Sequence, residues 1–86
     1  MELKDYRQEI DRIDGEILAL FQERMHLAAQ IGNYKKDHGL PIFQPQREEE
    51  KLNLLQNQAS QDLKPFIVPL YTLLFQLSRR YQEEQL

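Results

Sequence analysis

Apolar residues recur through the first part of the chain at alternating intervals of three and four: Leu3, Tyr6, Ile10, Ile13, Ile17, Leu20, Leu27, Ile31 and Tyr34. This is the period of a helix with one apolar seam, the pattern of a coiled coil, and it predicts a first helix from about Leu3 to Asp37. Asp5 with Gln8 can form a capping box at its start, and Gly39 followed by Pro41 marks its stop. Pro45, whose fixed φ suits a first helical position, predicts a second helix running through Leu52 and Leu55 toward Gln58. After a polar stretch from Asn57 to Asp62, a third helix carries Phe66, Ile67, Leu70, Tyr71, Leu73, Leu74, Phe75, Leu77 and Tyr81. It is apolar almost all round over its middle turns and is therefore expected to be buried. Pro69 costs about 3 kcal/mol in a helix interior, so the regular helix is expected to begin near Phe66, with Pro69 in its first turn, or to kink there.

Length turns this pattern into an argument about assembly. A compact domain of 86 residues has a radius of gyration of about 12 Å and a diameter of about 30 Å. A helix from Leu3 to Asp37 is about 50 Å long. It does not fit inside its own globule, and two shorter helices cannot cover its whole seam. The expected fold is therefore all-α: one domain spanning residues 1–86, three helices with a long first one, interlocked with a second copy into an all-helical homodimer of C2 symmetry.

Composition narrows the function classes. The chain is 41% hydrophobic and 29% charged, with no Cys. Disulfides and thiolate chemistry are thus excluded, and a cytoplasmic setting is expected. The apolar run from Leu70 to Leu77 is interrupted by Thr72 and Gln76 and falls far short of a membrane span, and the charged N-terminal stretch has no signal-peptide h-region. Eleven basic against fourteen acidic residues give a net charge of -3, which argues against a nucleic-acid partner. His26 and His38 lack a third partner at metal-ligand spacing, so no metal site is expected. There is no Gly-rich phosphate loop, Ser/His/Asp set or Cys nucleophile.

What remains is a set of polar residues placed where apolar ones belong. Arg24 occupies the seam position between Leu20 and Leu27; a guanidinium there needs an anion, either an internal carboxylate or a ligand. Lys35 lies eleven residues on, close to three whole turns, and projects from nearly the same face. The pair can straddle a small anion, or Lys35 can simply be solvated at a helix end. Ser78 and Gln82 form a polar row on the apolar third helix, held by packing partners or aimed at a ligand. Arg47 and Glu48 open the second helix, where the helix dipole alone suffices to explain the carboxylate. Arg7 reads as a surface residue, and Arg79 to Leu86 as a polar tail.

In order and spacing these residues resemble the all-α (type II) chorismate mutases over nearly the whole chain. The pattern is Arg7-x-x-Ile10-x-x-x-Asp14, Leu20-x-x-x-Arg24, Ile31-Gly32-x-x-Lys35, Pro41-Ile42-x-x-x-x-Arg47-Glu48 and Ser78-x-x-x-Gln82. The resemblance implies the rearrangement of chorismate to prephenate in phenylalanine and tyrosine biosynthesis. This pericyclic step needs no cofactor, acid, base or nucleophile, only a folded dianion and donors at the ether oxygen, where negative charge grows. It also implies roles. Arg24 and the partner chain's Arg7 would bind the two carboxylates with help from Ser78; Lys35 and Gln82 would donate to the ether oxygen. Glu48 would hold the substrate hydroxyl, and Arg47 would complete the cationic wall. Gln44 is a departure, since many members carry Asp there, and it removes one negative charge from the pocket. Arg7 and Arg24 are seventeen residues apart, about 26 Å along a continuous helix, so both can touch one ligand only from different chains. The competing expectations are an isochorismate pyruvate lyase of the same fold, a non-catalytic chorismate-binding or dimerisation module of a larger enzyme, and a purely structural helical dimer.

Overall fold

The computed structural model describes residues 1–85; Leu86, the last residue of the expected polar tail, lies outside the described residues. Three helices follow one another, α1 over Leu3–Asp37, α2 over Pro45–Gln58 and α3 over Lys64–Gln85. The first two have the predicted bounds. The start of α1 is capped one turn earlier than the sequence suggested. Glu2 is the N-cap, and the Asp5 carboxylate accepts a hydrogen bond of 2.9 Å from the Glu2 backbone N–H, so Asp5 answers the cap rather than being it. At the other end Gly39 takes φ +66°, a left-handed conformation that glycine adopts without a Cβ penalty, and the Leu40 N–H returns to the Lys35 carbonyl at 2.7 Å.

The third helix departs from expectation twice. It begins at Lys64, where the Ser60 carbonyl accepts from the N–H groups of both Leu63 and Lys64, so Pro69 sits beyond the first turn, inside the helix. Nor is it buried in this chain. Phe66, Leu70 and Leu73 are exposed, and the buried positions of α3 are the polar Ser78 and Gln82. The reason is geometric: α3 packs on both α1 and α2, in a body measuring 54 × 26 × 15 Å. At 15 Å the short dimension is little more than one helix with its side chains, about 10–12 Å, so such a layer has no interior. Ala28 is the one buried apolar residue among those described.

The radius of gyration, 16.0 Å, exceeds the roughly 12 Å of a compact chain of this size. The seam of α1 faces solvent along its length, with Ile17 58% and Leu20 63% exposed. No described helix is long and apolar enough to cross a membrane.

Candidate active site

Where α3 lies between the other two helices, a cleft of about 360 Å³ opens. Each helix contributes to it according to its own periodicity. Arg24 and Lys35 come from one face of α1, Arg47, Glu48 and Lys51 from the first turns of α2, and Phe75, Ser78 and Gln82 from α3, with Gln44 entering from the loop. Four cations thus face one carboxylate in a chain whose net charge is -3. A cleft of this kind selects an anion.

Arg24 makes no ion pair with a carboxylate among the described residues. Its guanidinium donates to the Ser78 hydroxyl and lies 6.0 Å from the centre of the Phe75 ring. A neutral partner orients the charge without neutralising it, which removes the internal-carboxylate explanation for this seam position. Ser78 in turn directs its hydroxyl toward the Met25 sulfur at 3.9 Å.

Lys35 donates to the Ile42 carbonyl at 2.8 Å, tying the end of α1 to the loop. Its pKa is held below the ordinary 10.5 by burial, an effect partly opposed by the Glu48 carboxylate. Gln82 is 5% exposed, and its Oε1 is buried without a hydrogen-bond partner. The orphaned atom is the acceptor end of the amide, and the Nε2 end is the one able to donate to a ligand oxygen.

Two placements were not legible in advance. Glu48, read as free to meet a substrate hydroxyl, already accepts from the Arg79 guanidinium with both carboxylate oxygens. Arg79 belongs to the segment read as a polar tail, yet its guanidinium lies 4.5 Å from the centre of the Phe43 ring and its side chain is only 25% exposed. A residue three before Gln82 shares the face of α3 on which Gln82 lies, but that spacing does not name its partners on other segments.

Gln44 caps α2 through its carbonyl, which accepts from the Glu48 N–H at 3.2 Å, but not through its side chain. Arg7 is exposed on α1 and does not line the cleft of its own chain. His38 stacks on Tyr34, with 3.9 Å between ring centres, and its Nδ1 lies 2.8 Å from the Tyr34 carbonyl. No cluster of three or more His, Cys, Asp or Glu able to hold a metal occurs among the described residues.

Comparison with known proteins gives a consistent picture. A family profile described as chorismate mutase type II matches residues 6–83. A T-protein of Haemophilus influenzae is 52% identical over 46 residues, which cover 54% of this chain but 12% of that protein. A 4-amino-4-deoxychorismate mutase of Streptomyces venezuelae is 41% identical over 46 residues, 54% of this chain and 45% of that one. Among solved structures, a Helicobacter pylori chorismate mutase in complex with prephenate superposes with a TM-score of 0.88 at 33% identity, covering 96% of this chain and 91% of the other.

Proposed function

The chain belongs to the type II chorismate mutase family, and from that premise we propose that it converts chorismate to prephenate in a cleft completed by a second copy of itself. The observation that carries this reading is the meeting of Arg24, Lys35, Glu48, Ser78 and Gln82, from three helices, around one cleft with an excess of positive charge.

The reaction breaks the carbon–oxygen bond of the enolpyruvyl ether while a carbon–carbon bond forms across the ring. No proton moves to or from the protein. Catalysis is then a matter of holding the dianion folded and meeting the negative charge that grows on the ether oxygen. Arg24, oriented by Ser78, takes one carboxylate. Lys35 and the amide of Gln82 donate to the ether oxygen; both sit in a partly desolvated setting where a donor is worth more than in water. Glu48 accepts from the ring hydroxyl, and Arg47 with Gln44 closes the wall of the cleft.

The second carboxylate falls to Arg7 of a second copy. Within one chain Arg7 is about 26 Å from Arg24 along α1, while the exposed seam that carries Tyr6, Ile10, Ile13 and Ile17 offers a surface for another chain. Interlocking two copies along this seam covers those apolar side chains and brings each Arg7 toward the other copy's cleft. A cytoplasmic setting suits such a chain without cysteine.

The test is the loss of chorismate absorbance on adding purified protein, with prephenate identified by its acid conversion to phenylpyruvate and isochorismate run in parallel. Turnover of chorismate to prephenate is the expected result. Release of pyruvate from isochorismate alone would replace the mutase by a lyase. Binding without turnover would leave a chorismate-binding module. The 4-amino-4-deoxychorismate mutase relative makes the amino analogue a second candidate for the same pocket, so the group at ring carbon 4 becomes the main question of specificity.

A further inference from the structure

Resting on that reading, we propose that Arg79 determines specificity at ring carbon 4: by engaging the Glu48 carboxylate it favours a neutral hydroxyl there over an ammonium group.

A lone carboxylate in a cleft attracts an ammonium group, because two opposite charges in a partly desolvated site interact more strongly than a charge and a hydroxyl dipole. Glu48 is not alone. Arg79 donates to both of its oxygens, and the two side chains are 25% and 24% exposed, so this pair is screened far less than the Arg12–Glu16 pair on the surface of α1, at 57% and 65%. Phe43 lies under the guanidinium and holds it from the loop side. Lys35 from α1, and Arg47 and Lys51 from α2, line the same cleft as this carboxylate.

An ammonium brought to Glu48 therefore meets fixed cations on several sides and a carboxylate whose charge is already balanced. A hydroxyl meets no such repulsion. A carboxylate has about four lone-pair positions, so it can accept from Arg79 and from a hydroxyl together. Chorismate and its 4-amino analogue differ at this one group, and the amino group sits on a saturated carbon and is an ammonium ion at neutral pH.

The test measures kcat/KM for chorismate and for 4-amino-4-deoxychorismate with the wild-type protein, Arg79→Gln and Arg79→Lys, with helix content followed by circular dichroism. Wild type should favour chorismate. Arg79→Gln should lower the chorismate-to-amino ratio at least tenfold, and Arg79→Lys, which keeps the charge, should hold it within about threefold of wild type. An unchanged ratio in Arg79→Gln, an equal loss of both activities, or a shift in Arg79→Lys as large as in Arg79→Gln would overturn the proposal.

A wild-type measurement stands beside the variants should Arg79→Gln fail to fold. As pH rises through the pKa of the substrate's ammonium, kcat/KM for the amino compound should increase relative to that for chorismate. Glu48 is faced by Arg79 from α3, by Lys35 from α1 and by Arg47 and Lys51 on α2, and the same profile in Lys35→Arg separates the substrate's titration from that of Lys35. A ratio level through that pKa would count against the proposal. Failure of the wild type on chorismate itself would remove the mutase reading, whereas turnover of chorismate with no effect of Arg79 on the ratio would remove only this inference.

Discussion

Gly32 on α1 lies directly against Gln82 on α3: a Cβ built at Gly32 would sit 3.0 Å from both the Cβ and the Cγ of Gln82 and 3.5 Å from its Cα. The absent side chain sets the distance between two helices at the depth where the buried amide is presented. Gly32→Ala should gain helix propensity, up to about 1 kcal/mol, and lose a similar amount to the close contact. Stability should therefore change little while Gln82 is displaced by a few tenths of an ångström. We expect kcat to fall roughly tenfold, with Tm within a few degrees of wild type. A fall in Tm of ten degrees or more with kcat unchanged would mean that Gly32 serves packing alone.

Lys35 and Gln82 make a joint prediction about pH. An amide donates at any ordinary pH, so kcat should be level between pH 5 and 8, without the acid optimum that a carboxylic acid donor imposes. Activity should fall on the alkaline side as Lys35 loses its proton, and burial places that limb below the ordinary 10.5. Lys35→Arg should move the limb to higher pH in whatever activity it retains. Gln82→Glu should create an acid optimum, because its carboxyl donates only when protonated. Stability moves the other way. With the folded-state pKa lowered, the unfolded chain binds more protons in the window below 10.5, so the Lys35 contribution to stability rises with pH there. Denaturation of wild type and Lys35→Met across that window checks the sign.

Much of this was legible in the sequence because helices announce themselves through local signals. The three-four spacing, Gly39 and Pro41 gave the bounds of α1, and Pro45 those of α2. The start of α3 was missed because Pro69 was weighed as a breaker, whereas Ser60 supplies a carbonyl that begins the helix earlier. Arg24 and Ser78 were visible as misplaced polar residues, yet their hydrogen bond joins positions 54 apart in sequence, which no local pattern encodes. Arg79 was hidden for the same reason. Its role depends on Glu48 and Phe43, both on other segments, and a basic residue near a chain end looks like solvated surface until those partners are in place.

Removing either of the proposed donors to the ether oxygen should separate chemistry from structure. Lys35→Ala and Gln82→Ala should each lower kcat by at least about 10²-fold, the scale for losing one donor to developing negative charge. Helix content should be preserved, because Gln82→Ala keeps the Cβ that meets Gly32 and Lys35→Ala leaves the apolar seam of α1 intact. A loss confined to KM would assign the two groups to ground-state binding instead.

The proposed sharing of each site between two chains makes a prediction that no single-chain enzyme can satisfy. Arg7→Ala and Arg24→Ala should each be nearly inactive alone, since every site loses one carboxylate anchor. Mixed after partial unfolding and refolding, the two variants should form heterodimers in which one site carries both substitutions and the other neither. With random pairing half of the dimers are mixed and half of their sites are intact, so activity should recover to about a quarter of wild type. Recovery should appear only under conditions that let subunits exchange, and a charge placed in the seam, as in Ile17→Asp, should abolish it by opposing association. Absence of recovery despite demonstrated exchange would place Arg7 outside the cleft and leave Arg24 as its sole carboxylate anchor.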